Sequence, residues 1–206
     1  MVETESRYWQ RHARRYDRAT VLLNRRFGAL ADRVAEALQG ARRVLEVGAG
    51  TGLVTARIAH AVDALIATDR CPEMLAVLRA RLAADGLANV EVEEADALVL
   101  AFPDGAFDAV VMANLLHLLP DPGRALDEAR RVLGSGGLLA APTFCHGETV
   151  VAQLVSRGLG LTGFPVVTRF AGGALRELVS RHGFAVEKEV LFPGLLPIRL
   201  VVGRGS

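Results

Sequence analysis

The stretch that decides the fold is "VLEVGAGTG", residues 44–52, a short apolar strand that runs into three glycines spaced two apart. In an open parallel sheet, ligands bind beyond the carboxyl ends of the strands, where the first strand turns into its helix. Gly48, Gly50 and Gly52 stand at that turn. Because glycine has no Cβ, it allows left-handed backbone angles and lets a ligand approach the main chain closely. The stretch therefore predicts a nucleotide-binding loop.

The glycine spacing differs from the dinucleotide fingerprint G-x-G-x-x-G, which places a pyrophosphate on the helix N-terminus. The third glycine comes one residue early, and Leu53 occupies the last position of the fingerprint. Glu46 lies two residues before Gly48 on an otherwise apolar strand. A buried carboxylate is costly without a partner, and at this place it suits a ligand with an amino group better than a pyrophosphate.

The pattern outside the loop alternates strands and helices. Helical spacing extends from Tyr8 to Gly40, and further helices are predicted at 55–62, 72–86, 121–137 and 173–183. Strands are predicted at 42–48, 64–69, 89–96, 107–116, 137–144, 184–192 and 198–203. Helices between strands imply parallel pairing through right-handed crossovers, whereas the short "PGLLP" after residue 192 indicates an antiparallel pair at one sheet edge. The predicted fold is a Rossmann-like, doubly wound α/β sheet.

Composition indicates a packed globular protein. Hydrophobic residues make up 51% and charged residues 23% of the 206 residues, and the net charge of +1 gives no reason to expect a nucleic-acid partner. A charged start without an apolar core predicts no secretory peptide or membrane helix. Cys71 and Cys145 are too few for a disulfide framework. These features predict a cytoplasmic protein with one domain.

Acids close the next two strands. Asp69 ends the second strand, where it can accept hydrogen bonds from both hydroxyls of a ribose, a role shared by NAD and S-adenosylmethionine sites; alternatively it caps the following helix. Asp96 closes the third strand and can accept from an adenine amino group while the Ala97 amide faces a ring nitrogen; alternatively it is a loop carboxylate. Together they favour a nucleoside ligand.

Five segments resemble, in order and spacing, the motifs of class I S-adenosylmethionine-dependent methyltransferases, across about residues 41–145: "LEVGAGTG", the acid of "ATDRCPEML", "EEADAL", "FDAVVMANLLHLLPDP" and "RRVLGSGGLL". The resemblance is to the small-molecule type, similar to the quinone and phospholipid methyltransferases. It implies a seven-stranded sheet whose last strand is inserted antiparallel, with S-adenosylmethionine over the glycine loop and S-adenosylhomocysteine as product. The chain departs from the family at Cys71, where a helix-capping serine is usual, and at "LGSGG" in place of "LKPGG".

The resemblance also assigns cofactor-binding residues by position. It implies that the methionine part is held by Glu46 and the backbone of Gly48, Ala49 and Gly50, the ribose by Asp69, the adenine face by Arg70 and Met74, the adenine edge by Asp96 and Ala97, and the methyl end by Asn114. The corresponding division of the chain is an N-terminal helical cap at 1–40, the cofactor-binding core at 41–145, a substrate-side insertion at 146–170, and a C-terminal helix with a strand pair at 171–206.

Methyl transfer is an in-line displacement that needs orientation, no metal, and a general base only for some acceptors. His117, just past the fourth strand, is the candidate base; the alternative is a histidine that shapes the loop, and His146 and His12 are weaker candidates. Tyr16 is similar to a tyrosine that closes over the sulfonium in small methyltransferases, where cation–π attraction stabilises the charge; the alternative is an ordinary helix aromatic.

The acceptor side is predicted from composition alone. The N-terminal helix and the insertion at 146–170 are rich in apolar residues, which favours a lipophilic or aromatic small molecule. The basic N-terminal helix, with Tyr8 and Trp9, suits peripheral contact with an anionic membrane, and a solvated arginine face is the alternative. A nicotinamide-dependent reductase is disfavoured by the glycine spacing and by Lys188 being the only lysine; a non-catalytic S-adenosylmethionine-binding module stays open.

Overall fold

A seven-stranded sheet forms the centre of the protein. The computed structural model describes residues 20, 22–161, 164 and 166–205. The strands are β1 (Arg43–Val47), β2 (Ala64–Asp69), β3 (Val90–Glu94), β4 (Phe107–Val111), β5 (Leu133–Phe144), β6 (Phe184–Phe192) and β7 (Ile198–Gly205). The helices are α1 (Phe27–Ala37), α2 (Thr55–Ala59), α3 (Pro72–Asp85), α4 (Pro122–Val132), α5 (Val150–Leu161) and α6 (Ala174–Arg181), with a 3₁₀ turn at Leu116–Leu118.

The strand order is β3-β2-β1-β4-β5-β7-β6. Pairing is parallel from β3 to β5, and β7 runs antiparallel between β5 and β6. This confirms the predicted Rossmann-like fold and the inserted antiparallel strand. The order reverses between β1 and β4, so the chain leaves these two neighbouring strands in opposite directions and opens a crevice at their carboxyl ends.

Apolar side chains cover both faces of the sheet because alternate strand residues point to opposite sides. On one face, Leu45 and Val47 belong to a cluster that includes buried residues of α4 and α6. On the other face, Val44 belongs to a cluster that includes α1, α2 and Ala152 of α5. Glu46 shares the second face with Val44, and its side chain is therefore directed into packed protein rather than solvent.

The predicted helix from Tyr8 to Gly40 is wrong as one continuous element. Its start lies outside the described residues, and the described part is interrupted at Asn24 before α1 begins. The Asn24 side chain donates to the carbonyls of Phe192 and Leu196 and accepts from the Arg26 amide. Asparagine side chains compete in this way for backbone hydrogen bonds, which ends helices. These hydrogen bonds also connect Asn24 to the turn between β6 and β7.

The predicted helix at 121–137 ends early, because α4 stops at Val132 and β5 begins at the next residue. Leu133 pairs with Phe107, and the register then shifts before Ala109 pairs with Leu138. "LGSGG" is thus a bulged start of a strand, which suits glycines because they disfavour helix and Gly136 has a positive φ of 69°. At the other end of α4, the Asp121 side chain accepts a hydrogen bond from the Arg124 amide and so caps the helix.

The insertion at 146–170 contains a helix, α5, that the sequence pattern did not predict. Ala152 and Ser156 are its buried residues, whereas Val150, Leu154 and Leu161 are exposed. None of the helices in the described part of the chain is both long and apolar enough to span a bilayer.

Candidate active site

A pocket opens at the carboxyl ends of β1, β2 and β4, as the strand order predicts. The ten residues predicted to bind the cofactor all line it: Glu46, Gly48, Ala49, Gly50, Asp69, Arg70, Met74, Asp96, Ala97 and Asn114. Apolar side chains close the rest of the wall, among them Phe27 from α1 and Leu115 and Leu118 from the segment after β4. The structure therefore brings the ten predicted residues together in one pocket.

The three glycines of the loop serve different physical needs. All have positive φ, at 74° for Gly48, 57° for Gly50 and 84° for Gly52. A Cβ on Gly48 would lie 2.8 Å from Leu115, and one on Gly52 would overlap Leu78, so packing requires glycine at both places. A Cβ on Gly50 would meet nothing within 4 Å, so this residue faces open space in the pocket. Gly50 is the point where a ligand can approach the backbone.

Glu46 is a buried carboxyl with an unsatisfied oxygen. Its side chain is 1% exposed, and Oε2 has no hydrogen-bond partner among the described residues. Burial, opposed by the side chain of Thr55 and aided by the neighbouring charge of Asp69, raises the pKa of Glu46 from 4.5 to about 7. A cationic amino group in the pocket would supply both the missing hydrogen bond and the missing charge.

Asp69 ties the glycine loop to the next helix. One carboxylate oxygen accepts from the Gly50 amide and the other from the Cys71 amide, each at 2.9 Å. Burial raises the pKa of Asp69, and these two amides oppose the rise. Asp69 therefore contacts the residue that precedes α3, which agrees in part with the helix-cap alternative. Cys71 itself makes no side-chain cap to α3. The Arg70 amide also contributes a hydrogen bond to this carboxylate. A carboxylate has about four acceptor positions, so it can hold a further donor such as a hydroxyl.

Asp96 and Asn114 border the pocket from two other strand ends. Asp96 follows β3, and its carboxylate accepts from the Leu98 amide at 2.9 Å. Asn114 follows β4 with a φ of 53°, the one positive φ outside glycine among the described residues. The backbone amide of Asn114 donates to the Pro142 carbonyl at 2.7 Å. The buried side-chain oxygen Oδ1 has no partner among the described residues. Asparagine tolerates this strained backbone, and the arrangement presents its side chain to the pocket.

His117 does not line the pocket. It lies in the 3₁₀ turn, 1% exposed, with its ring against Phe144 and His146 at centroid distances of 5.8 and 5.2 Å. Burial lowers its pKa well below 6.5, and His146 lowers it further. His117 is therefore a neutral imidazole beside the pocket wall. Tyr16 and His12 lie outside the described residues.

Sequence analysis missed the apolar wall of the pocket. Phe27 carries the helical spacing that marks a core residue, and nothing in that pattern separates a pocket wall from a core. Leu115 and Leu118 lie inside a recognised motif, but only the fold shows that their side chains close the space above Gly48.

The donor set fits a nucleoside that carries an amino-acid group. Glu46 and Asn114 offer buried oxygens without partners among the described residues, Gly50 leaves space for close approach, and the acceptor carboxylate of Asp69 lines the same pocket. The fold and this site together define a Rossmann-like protein whose pocket lies at the reversal of strand order.

Comparison with known proteins identifies the family. The family model described as "Methyltransferase domain" matches residues 45–141. The demethylmenaquinone methyltransferase of Clavibacter sepedonicus is 35% identical over 175 residues, which cover 84% of this chain and 67% of the relative. The phosphatidylethanolamine N-methyltransferase of Cereibacter sphaeroides is 44% identical over 96 residues, 46% of this chain and 47% of that protein.

A solved structure shows the same fold at low identity. The S-adenosylmethionine-dependent methyltransferase of Thermotoga maritima has a TM-score of 0.74 and 22% identity, covering 96% of this chain and 98% of that one. The chain belongs to the class I S-adenosylmethionine-dependent methyltransferases.

Proposed function

We propose that the protein transfers a methyl group from S-adenosylmethionine to a small apolar or aromatic acceptor by in-line displacement. The observation that carries the proposal is that one pocket collects all ten predicted cofactor-binding residues, two of which have buried oxygens without described partners. When bound, the cofactor supplies an electrophilic methyl carbon on a sulfonium.

The residues around the pocket would each hold one part of the cofactor. Glu46 would pair with the amino group, and the Gly50 backbone would lie against the methionine part. Asp69 would accept from the ribose hydroxyls, and Asp96 from the adenine amino group. Met74, which is 3% exposed and lines the pocket, would pack against one face of the adenine ring.

The chain's contribution to the reaction would be orientation and exclusion of water. Well-aligned reactants reach effective molarities of about 10⁵ to 10⁸ M, so a fixed donor next to a fixed acceptor supplies most of the acceleration. Asn114 would orient groups at the methyl end, and Phe27 and Leu118 would exclude water there. Tyr16 and His117 remain proposals as the residue over the sulfonium and as a base, respectively.

The acceptor class rests on the relatives and on the apolar walls. By their names, the two relatives act on demethylmenaquinone and on phosphatidylethanolamine. The pocket wall next to Asn114, where we propose that the methyl group lies, is bordered by apolar side chains, which suits the ring or chain of such a molecule better than a polar metabolite. A peripheral membrane contact through the basic N-terminal helix concerns residues outside the described part and stays a proposal.

Thermal melting with S-adenosylhomocysteine, and separately with NADH, tests the cofactor. A ligand at 100 times its Kd adds about 2.7 kcal/mol, which raises Tm by about 5 to 10 °C for a chain of this size. We expect that shift with S-adenosylhomocysteine only. Asp69→Asn should reduce it, while the matched control Asp85→Asn, at the far end of α3, should not. A shift with NADH alone would refute the proposal.

Transfer of a labelled methyl group from S-adenosylmethionine to a panel of quinols, phenols and lipid amines then tests turnover. Labelled product with any acceptor supports the proposal. Firm binding of S-adenosylhomocysteine without transfer to any member of the panel would favour the non-catalytic binding module.

A further inference from the structure

Two histidine rings lie buried side by side next to the cofactor pocket. His117 follows β4 and His146 follows β5, with exposed fractions of 1% and 0% and ring centroids 5.2 Å apart. Phe144 meets both rings edge-on, at 5.8 and 6.3 Å, and Phe164 lies 6.5 Å from His146. The pair therefore lies in an aromatic environment that excludes bulk water.

Most of the polar atoms in this pair have no partner. Nδ1 of His117 and both ring nitrogens of His146 are buried without a hydrogen bond to any described residue. More than nine in ten buried polar groups in native proteins have a partner, because an unpaired buried group forfeits its hydration. Three unsatisfied nitrogens in one cluster therefore indicate a place for a polar group from a ligand.

The chemistry of the pair defines that polar group. Burial and the positive charge of Arg169 together lower the pKa of His146 to about 4. With the low pKa of His117, both rings are neutral near pH 7, so each carries one N–H donor and one lone pair. A hydroxyl group can donate to one ring and accept from the other at the same time. The positive charge of Arg169 disfavours an ammonium group at this position.

The histidine pair adjoins the pocket wall next to Asn114, which the proposed function assigns to the methyl end of the cofactor. Leu115 and Leu118 line that pocket, and His117 lies between them in the same 3₁₀ turn. Asn114, three residues before His117, also lines the pocket. A ligand held by the histidine pair would therefore lie against the wall from which the methyl group is delivered.

We propose that His117 and His146 form the hydroxyl-binding end of the acceptor site, which takes a neutral aromatic ring that bears a hydroxyl group. Phe144 and Phe164 would pack against the ring, as aromatic pairs do at centroid distances of about 4.5 to 7 Å. This inference rests on the proposed function. The names of the two relatives indicate a quinone-type acceptor and an amine acceptor, respectively. A site for a hydroxyl group favours the quinol-like acceptor over the amine.

Ligand titration of the protein saturated with S-adenosylhomocysteine tests the site. The probes are α-naphthol, naphthalene, which lacks the hydroxyl, and naphthylmethylamine, which is cationic at pH 7. We expect α-naphthol to bind at least about tenfold more tightly than either of the others, because a site built for a hydroxyl strongly rejects analogues without it. Equal affinity for naphthalene or for the amine would overturn the proposal, as would no binding of α-naphthol.

His146→Phe removes both unsatisfied nitrogens and retains an aromatic ring of similar size. We expect it to weaken α-naphthol at least about tenfold and to leave the melting shift with S-adenosylhomocysteine unchanged. The matched control His60→Phe, at an exposed position after α2, should alter neither. If His146→Phe binds α-naphthol as well as the original protein does, the nitrogens bind only water and the proposal is wrong.

The unsubstituted protein provides a readout that does not depend on how a variant folds. Nitrogen NMR of the histidine rings should show the signals of His117 and His146 shift on addition of α-naphthol, while His60 and His182 stay constant. Unchanged signals at saturation would refute the site. Loss of S-adenosylhomocysteine binding in the unsubstituted protein would instead refute the proposed function, so the two failures are distinguishable.

Discussion

Replacement of Glu46 by glutamine should separate the stability of the fold from the affinity for the cofactor. The carboxyl group is 1% exposed and Oε2 has no described partner. Because its pKa is higher in the folded protein, at about 7 against an ordinary 4.5, the folded state holds a proton that the unfolded chain releases between these values. The free energy of unfolding therefore falls as pH rises from about 4.5 to 7, and stays low above that.

The magnitude follows from the difference in pKa. Each unit of pKa corresponds to about 1.4 kcal/mol, so the ionised Glu46 costs the ligand-free protein up to roughly 3 kcal/mol at pH 8. Glutamine avoids the charge but still buries an amide. We expect Glu46→Gln to stabilise the ligand-free protein by about 1 to 3 kcal/mol at pH 8 and to have little effect at pH 5, measured by urea unfolding.

The same substitution should weaken cofactor binding. If the ionised carboxylate pairs with the amino group of S-adenosylhomocysteine, its removal costs about 2 to 5 kcal/mol of binding free energy, roughly a 30-fold loss or more. In the original protein, affinity should rise with pH up to about 7, as Glu46 loses its proton, and this dependence should weaken in the variant. Calorimetric titration at pH 6 and 8 measures both effects.

Glu91→Gln, at an exposed position of β3, is the matched control and should change neither quantity. The reasoning is refuted if Glu46→Gln binds S-adenosylhomocysteine as tightly as the original protein and gains no stability at pH 8. If Glu46→Gln stabilises the ligand-free protein without weakening binding, the burial of Glu46 destabilises the fold but its carboxylate holds no part of the ligand.

Three further outcomes follow from the geometry. Gly48→Ala should lose about 1 to 3 kcal/mol of unfolding free energy, because a Cβ at φ 74° would lie 2.8 Å from Leu115, and urea unfolding measures the loss. Arg131→Met should cost about 1 to 3 kcal/mol in the same assay, because the side chain of Glu128 is only 6% exposed and loses the shorter of its two ion pairs, while the one with Arg124 at 3.4 Å is retained; an unchanged midpoint would contradict this. His117 should stay neutral from pH 6 to 9, so its ring signals in NMR should not titrate over that range.

The convergence of the candidate cofactor-binding residues on one pocket could be predicted because they lie at strand ends. In a parallel sheet, residues that follow successive strands come together whatever the helices between them contain. Glu46, Asp69 and Asp96 each lie on or directly after one of three neighbouring strands, so their convergence follows from strand order. The glycine spacing between them then sets where the backbone can meet a ligand.

The features that sequence analysis missed depend on contacts between distant segments. Asn24 interrupts the predicted N-terminal helix by bonding to carbonyls that lie more than 160 residues away. No local pattern encodes such partners. The histidine at 117 follows the strand as predicted, but the direction of its ring is set by Phe144 and His146, which arrive from β5. Helix α5 escaped prediction because glycines at 158 and 160 weaken its pattern.

The buried polar atoms that have no described partner follow the same geometry. They belong to Glu46, Thr55, Asn114, His117, Thr143, His146 and Arg199. These residues lie at or just beyond the carboxyl ends of β1, β4 and β5, or on the element beside them. Each such atom lowers the stability of the ligand-free fold, because an unpaired buried polar group forfeits its hydration. If these atoms were only random defects of packing, they would be spread over both edges of the sheet. Their concentration at one edge of the sheet supports the proposal that the cofactor and the acceptor bind there, and we expect the fold to be less stable without them.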